Sequence, residues 1–204
     1  MTNTRFQRAL AIPIIGVAAL ALTACASKTS TAAPASPAAS SSSSAANTTT
    51  SAHNEADVTF ATDMIPHHEQ AVDMAKLAAS RASSAAVKDL ATKIEAAQQP
   101  EITMMSGWLT GWGKPVPSPM GGMDMGGSTG MMSAADMTKL TNSTGTAYDK
   151  MFLTMMIAHH QGALAMAATE TSTGKNADAL TLAKNITTSQ TAEISTMQSL
   201  LTHG

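Results

Sequence analysis

The chain has 204 residues, with 12 Lys and Arg against 14 Asp and Glu, so the formal net charge is only -2 and charged residues make up 13%. That balance leaves no basic stripe and excludes the electrostatic footprint of a nucleic-acid binder. One cysteine excludes a disulfide framework; 3% aromatics and sixteen methionines predict a core of small and flexible side chains.

Arg5 and Arg8 precede the apolar run Ala9 to Leu22 and the small-residue stretch Thr23 to Ser27, which together have the layout of a secretory signal. The run is too short and too interrupted by Pro13 and Gly16 for a comfortable membrane span. Leu22, Thr23, Ala24 and Cys25 resemble the bacterial lipobox, which implies a signal peptide over 1–24 and lipidation at Cys25. A cleaved signal with an incidental Cys25 is the alternative. Beyond Cys25, residues 25–52 are nearly all Ser, Ala, Thr and Pro, with almost no charge or large apolar side chain. Such a segment buries too little to offset its ordering entropy, so it reads as a tether holding the rest away from a membrane. Residues 53–204 form one domain.

Within that domain Ala and Met favour helix, and no period-two β-branched run occurs. The sequence repeats at one offset of 92 residues. Phe60, Met64, His67, His68 and Met74 match Phe152, Met156, His159, His160 and Met166; Ile94, Gln98, Glu101 and Met105 match Ile186, Gln190, Glu193 and Met197. A repeat this long is a helical hairpin present twice, which predicts helices near 54–80, 84–109, 145–172 and 177–202. A Met/Gly-rich connection over 111–133 separates the hairpins, and a short helix near 134–141 opens at Ser133 with Asp136 as its capping-box partner. The fold class is therefore all-α, a four-helix bundle built from two repeated hairpins.

Both copies read M-I-x-H-H-x-x-A-x-x-M-A, at 64–75 and 156–167. This motif resembles the signature of domain-of-unknown-function family 305, bacterial secreted proteins and lipoproteins. The resemblance implies a ferritin-like bundle outside the cytoplasm, and some members are associated with copper. It implies no settled activity.

On a helix, adjacent histidines share one broad face with the methionine a turn before them. His67 and His68 thus stand with Met64, and His159 and His160 with Met155 and Met156; Met74 and Met166 follow at the end of each motif. Ala71 and Ala163 allow the two faces to approach. Neutral imidazole and thioether form a soft ligand set that suits copper(I) and not magnesium or calcium. Met120, Met123, Met125, Met131 and Met132 in the glycine-rich connection offer further thioethers, with Met123 and Met125 the central candidates. Glu101 and Glu193 are placed to accept a histidine N–H and fix its ring, supported by Gln98 and Gln190. Methionine is also ordinary helical core filler, and buried histidines also serve as structural polar groups. His53 and His203 lie outside the repeats and read as exposed, and Trp108 and Trp112 as a cap on the bundle end.

No Glu-x-x-His motif of a di-iron bundle exists, since Met104 follows Glu101 by three and Thr196 follows Glu193. No serine sits at a nucleophile elbow either. The sequence therefore predicts a non-enzymatic, membrane-anchored binder of copper(I), with a metal ion as its ligand. The rival is a cell-surface interaction module whose histidines form a buried network without metal.

Overall fold

The structure, a computed structural model, describes residues 52–118 and 130–203. The signal segment, Cys25, nearly all of the tether, and Met120, Met123 and Met125 lie outside the described residues.

Among the described residues the chain forms five helices: α1 (Glu55–Arg81), α2 (Ala85–Gly111), α3 (Ala134–Asn142), α4 (Gly145–Thr173) and α5 (Ala177–His203). Each expected helix is present with its ends within two residues. Asn54 opens α1 through a reciprocal capping box: its side chain accepts from the Asp57 N–H at 3.1 Å, and the Asp57 carboxylate accepts from the Asn54 N–H at 2.6 Å. Ser133 opens α3, accepting from the Asp136 N–H at 3.1 Å, but the box expected there is not reciprocal through the backbone: the Asp136 carboxylate accepts from the Ser133 hydroxyl, at 2.7 Å. α1 runs through Pro66 and α2 through Pro100. Each proline deprives the carbonyl four residues earlier of its donor. Those carbonyls belong to Thr62 and Ala96, which are only half-buried and exposed, so water can serve them.

α1 packs on α2 and α4 on α5, while α1 and α4 meet at the centre. Two acids fix the relative direction of the central pair. Asp57 at the start of α1 accepts the N–H groups of Lys175 and Asn176, at 2.9 and 2.8 Å, in the α4–α5 turn. Asp149 at the start of α4 accepts those of Ser83 and Ser84, at 3.1 and 3.0 Å, in the α1–α2 turn, together with the Ser83 hydroxyl. Each helix therefore begins where the other ends, so α1 and α4 are antiparallel. All of these partners obey the 92-residue offset, and the ties are the pseudo-twofold axis expressed in hydrogen bonds.

The apolar core divides into two clusters. One holds Phe60, Met64, Met105, Ala163 and Leu182; the other holds Phe152, Met156, Met197, Ala71 and Leu90. The repeat exchanges one set for the other. α3 departs from this symmetry: it lies against α1 and α4 and buries Leu140 completely in the second cluster. Gly130 brings the chain to it with φ +75, and a Cβ there would stand 2.5 Å from the Ala158 carbonyl oxygen, so only glycine fits. The Gln70 side chain then holds the Met132 backbone at two points, accepting its N–H at 2.7 Å and donating to its carbonyl at 2.9 Å.

Candidate metal centre

Between the two apolar clusters lies a layer of four imidazoles. His67 is 1% exposed, and His68, His159 and His160 are fully buried. Opposed on the antiparallel central helices, the His67 and His159 rings approach to 3.7 Å between centroids, with planes tilted by 37°. Pointing outward from that pair, His68 Nε2 lies 2.7 Å from Glu101 Oε2 on α2, and His160 Nε2 lies 2.6 Å from Glu193 Oε2 on α5. The two glutamate side chains are each 19% exposed, so their outer oxygens reach water while the inner ones hold a ring.

A carboxylate at Nε2 selects the tautomer with its proton there and leaves the lone pair at Nδ1. Nδ1 of His68 and of His160 is buried without a hydrogen-bond partner. Neither ring nitrogen of His159 makes a hydrogen bond of good geometry. Burial, reinforced by the charge that His67, His160 and His68 carry when protonated, drives the His159 pKa well below its ordinary 6.5, and the weaker opposing pull of the His67 backbone does not reverse this. His159 is therefore neutral at physiological pH and keeps a lone pair. Buried polar atoms are ordinarily paired, and the unpaired nitrogens of His68, His159 and His160 offer ligand lone pairs.

The thioethers take defined places around it. In an antiparallel pair with His67 opposite His159, Met64 falls within one residue of the level of Ala163 and Met156 within one of Ala71, and both methionines are fully buried in clusters containing those alanines. Met105 and Met197, four residues beyond Glu101 and Glu193, are also fully buried, one in the cluster of Met64 and the other in that of Met156. In the sequence Met105 and Met197 are matched by the repeat and are not among the candidate ligands. Their matched offset and i, i+4 spacing from the glutamates was the available signal.

Other candidates fall elsewhere. At a rise of about 1.5 Å per residue, Met74 and Met166 stand about 10 Å along the helix from the histidines that precede them, too far to share their centre. Met155 is half-buried against the α3 side of the bundle and Met166 against the opposite side. Gln98 and Gln190 are buried at 2% and 3% exposure. The Gln98 amide has no hydrogen-bond partner for either atom, and the Gln190 oxygen has none. His53, expected to be exposed, is instead half-buried and stacks on Trp112 at 4.6 Å with planes 10° apart, because Trp112 caps the bundle end beside it. Among the described residues no group of three or more His, Cys, Asp or Glu is placed to hold a metal ion. A centre here with three or more side-chain ligands would therefore add thioether sulfur to one or two imidazoles.

A sequence profile of DUF305, a domain of unknown function, matches residues 57–201. No curated protein sequence matches the chain. Among solved structures, a secreted DUF305 protein from Streptomyces coelicolor is 36% identical over 72% of this chain and 92% of its own, with a TM-score of 0.66. A DUF305 fragment from Deinococcus radiodurans is 30% identical over 74% of this chain and 98% of its own, with a TM-score of 0.67. CopM in its Cu(I)-bound form is 30% identical over 72% of this chain and 98% of its own, with a TM-score of 0.61. CopM is also known in Cu(II)-bound and Ag-bound forms.

Proposed function

We propose that this chain, which belongs to the DUF305 family, binds copper(I) or a similarly soft ion outside the cytoplasm and stores, scavenges or chaperones it without turning over a substrate. The observation that carries the reading is the buried imidazole layer, in which Nδ1 of His68 and His160 and both ring nitrogens of His159 lack hydrogen-bond partners, set between fully buried thioethers. Imidazole and thioether are soft donors, and a soft ion held by one or two imidazoles and thioethers needs no third histidine or carboxylate. His67, His68, His159 and His160 with Met64 and Met156 are the principal ligands, and Met105 and Met197 complete them. Glu101 and Glu193 orient the rings. Kinship with CopM, known in Cu(I)-bound and Ag-bound forms, supports the choice of ion. The methionines of the connection, Met123 and Met125 among them, add weaker sites. Cys25 anchors the domain to the membrane through lipid, with the tether as spacer.

Competition titration with a copper(I) chelator tests the centre. Replacing all four histidines by leucine abolishes tight binding in a protein that remains helical. Full affinity in that variant would place the site elsewhere, and loss of the fold would favour a structural histidine network in an interaction module. For the address, Cys25→Ser releases the protein from the membrane fraction or blocks its maturation; unchanged retention and processing would contradict the lipid anchor.

A further inference from the structure

Two buried amides lie a turn from the glutamates that hold the rings. Gln98 and Gln190 are 2% and 3% exposed, yet both amide atoms of the first and the amide oxygen of the second lack a hydrogen-bond partner. The register of the helices fixes what they face. With His68 against Glu101, the antiparallel α1 and α2 set Met64 opposite Met105 and Ala71 opposite Gln98. With His160 against Glu193, α4 and α5 set Met156 opposite Met197 and Ala163 opposite Gln190. The apolar clusters agree: Met64, Met105 and Ala163 share one, and Met156, Met197 and Ala71 share the other.

Two layers therefore flank the imidazoles. In each, two fully buried thioethers come from one hairpin and a buried amide from the other, and an alanine leaves space among them. From Met64 to Ala71, at a rise of about 1.5 Å per residue, the layers stand about 10 Å apart along α1. One ion cannot bond to both thioether pairs across that distance. Each copy of the repeat carries a methionine pair and a histidine pair of its own, so each hairpin holds a complete soft donor set.

We propose that the protein holds two soft ions, one in each layer, and that each site is closed by the amide oxygen of the opposite hairpin. The first ion takes Met64 and Met105 with the pair His67 and His68, and Gln190 reaches it from α5. The second takes Met156 and Met197 with the pair His159 and His160, and Gln98 reaches it from α2. This division of the donors rests on the soft-ion reading and adds to it the number of ions and a ligand role for two amides. An amide oxygen is a harder donor than sulfur or imidazole, so it is the weakest ligand of each set. Two univalent ions about 10 Å apart, at an effective dielectric constant of about 20, repel enough to weaken the second by on the order of tenfold.

Silver(I) titration of the whole protein, followed at ¹³C-labelled methionine methyls, tests the division. In wild type the methyls of Met64, Met105, Met156 and Met197 all shift and reach saturation only after two equivalents are bound. Met64→Leu with Met105→Leu, exchanges of nearly equal volume that cores tolerate, leaves one tight equivalent that moves only Met156 and Met197. Met156→Leu with Met197→Leu does the reverse. Gln190→Leu weakens by about tenfold only the ion that moves Met64 and Met105, on the hairpin to which Gln190 does not belong. Saturation of all four methyls at one equivalent, or loss of tight binding in both layers of either methionine variant, means a single shared ion and overturns the division while the soft-ion reading stands. The wild-type titration decides that count without any variant. Weakening by Gln190→Leu at Met156 and Met197 instead, or none at all, overturns the ligand role of the amides. Wild-type protein in which none of the four methyls shifts saturably overturns the division and the soft-ion reading together.

Discussion

Glu101 and Glu193 each lie 33 residues beyond the histidine they hold, and this equality made them legible in the sequence: carboxylates on otherwise apolar helix faces, repeated at one offset, need a partner. Glu101→Gln and Glu193→Gln together keep an acceptor at each Nε2 but remove its charge. Copper(I) affinity in a chelator competition should fall by roughly 10–100-fold, the usual cost of losing such an orienting group, with helicity unchanged. Glu170 was not legible, because its repeat counterpart is Ala78 and nothing in the sequence shows that it turns toward Asp57. Its pKa is raised from 4.5 to about 8 by burial and by Asp57. The folded state thus retains a proton that the unfolded chain has lost between those values, so this group's contribution to stability is complete below about pH 4.5 and is lost as pH rises to about 8. Asp57 behaves oppositely: burial raises its pKa, but hydrogen bonds, foremost from the Asn176 and Asn54 backbone, outweigh this and hold it below 3.8. Its contribution is present above 3.8 and is lost as pH falls through its folded pKa. Urea unfolding of wild type against Glu170→Gln should show the difference in stability moving in the variant's favour from pH 5 to 8, by at most about 1.4 kcal/mol per pH unit. A difference independent of pH would mean that the carboxyl is ionised throughout.

Helix positions follow from the repeat, the caps and the helix-forming composition, all of them local signals. The ties between helices do not, since a first-turn acid such as Asp149 is ordinary at any helix start. That it reaches across to the α1–α2 turn is visible only once α1 and α4 lie antiparallel. Asp149→Ala removes the acceptor of two backbone N–H groups and a hydroxyl. Charged acceptors of this kind contribute about 1.5–3 kcal/mol, and the variant should lose about that much in urea unfolding while α3 remains docked. Gly130→Ala should do the reverse: the strained φ and the contact with the Ala158 carbonyl loosen the entry to α3. Amide exchange should then accelerate over 131–142 and stay slow in the interior of α1 and α4. Equal protection of α3 in both proteins would show that the Gln70 clamp on Met132 suffices without the close approach at Gly130.

Across the whole molecule, the imidazole layer divides an otherwise apolar core, and burying nitrogens without partners, Nδ1 of His68 and His160 and both of His159, is unfavourable for folding. A protein that served only to be stable would fill these positions with aliphatic side chains, so a layer kept for binding predicts a trade between stability and affinity. With all four histidines replaced by leucine, the metal-free protein should melt at or above the wild-type temperature, Glu101 and Glu193 turning their carboxylates to the water they already touch. Wild-type protein, in contrast, should gain stability from silver(I), a redox-inert stand-in for copper(I). At a free concentration about 100 times its dissociation constant, the gain is about 2.7 kcal/mol, or some 5–10 °C in melting temperature for a domain of this size. The variant should show none of that gain. Calorimetric scans of both proteins with and without silver(I) give the four temperatures needed. A variant that melts well below wild type before any metal is added would identify the histidines as structural members of the core, held by Glu101 and Glu193 for the sake of the fold. A variant that melts higher but still gains the full increment would locate the soft-ion site among the methionines alone.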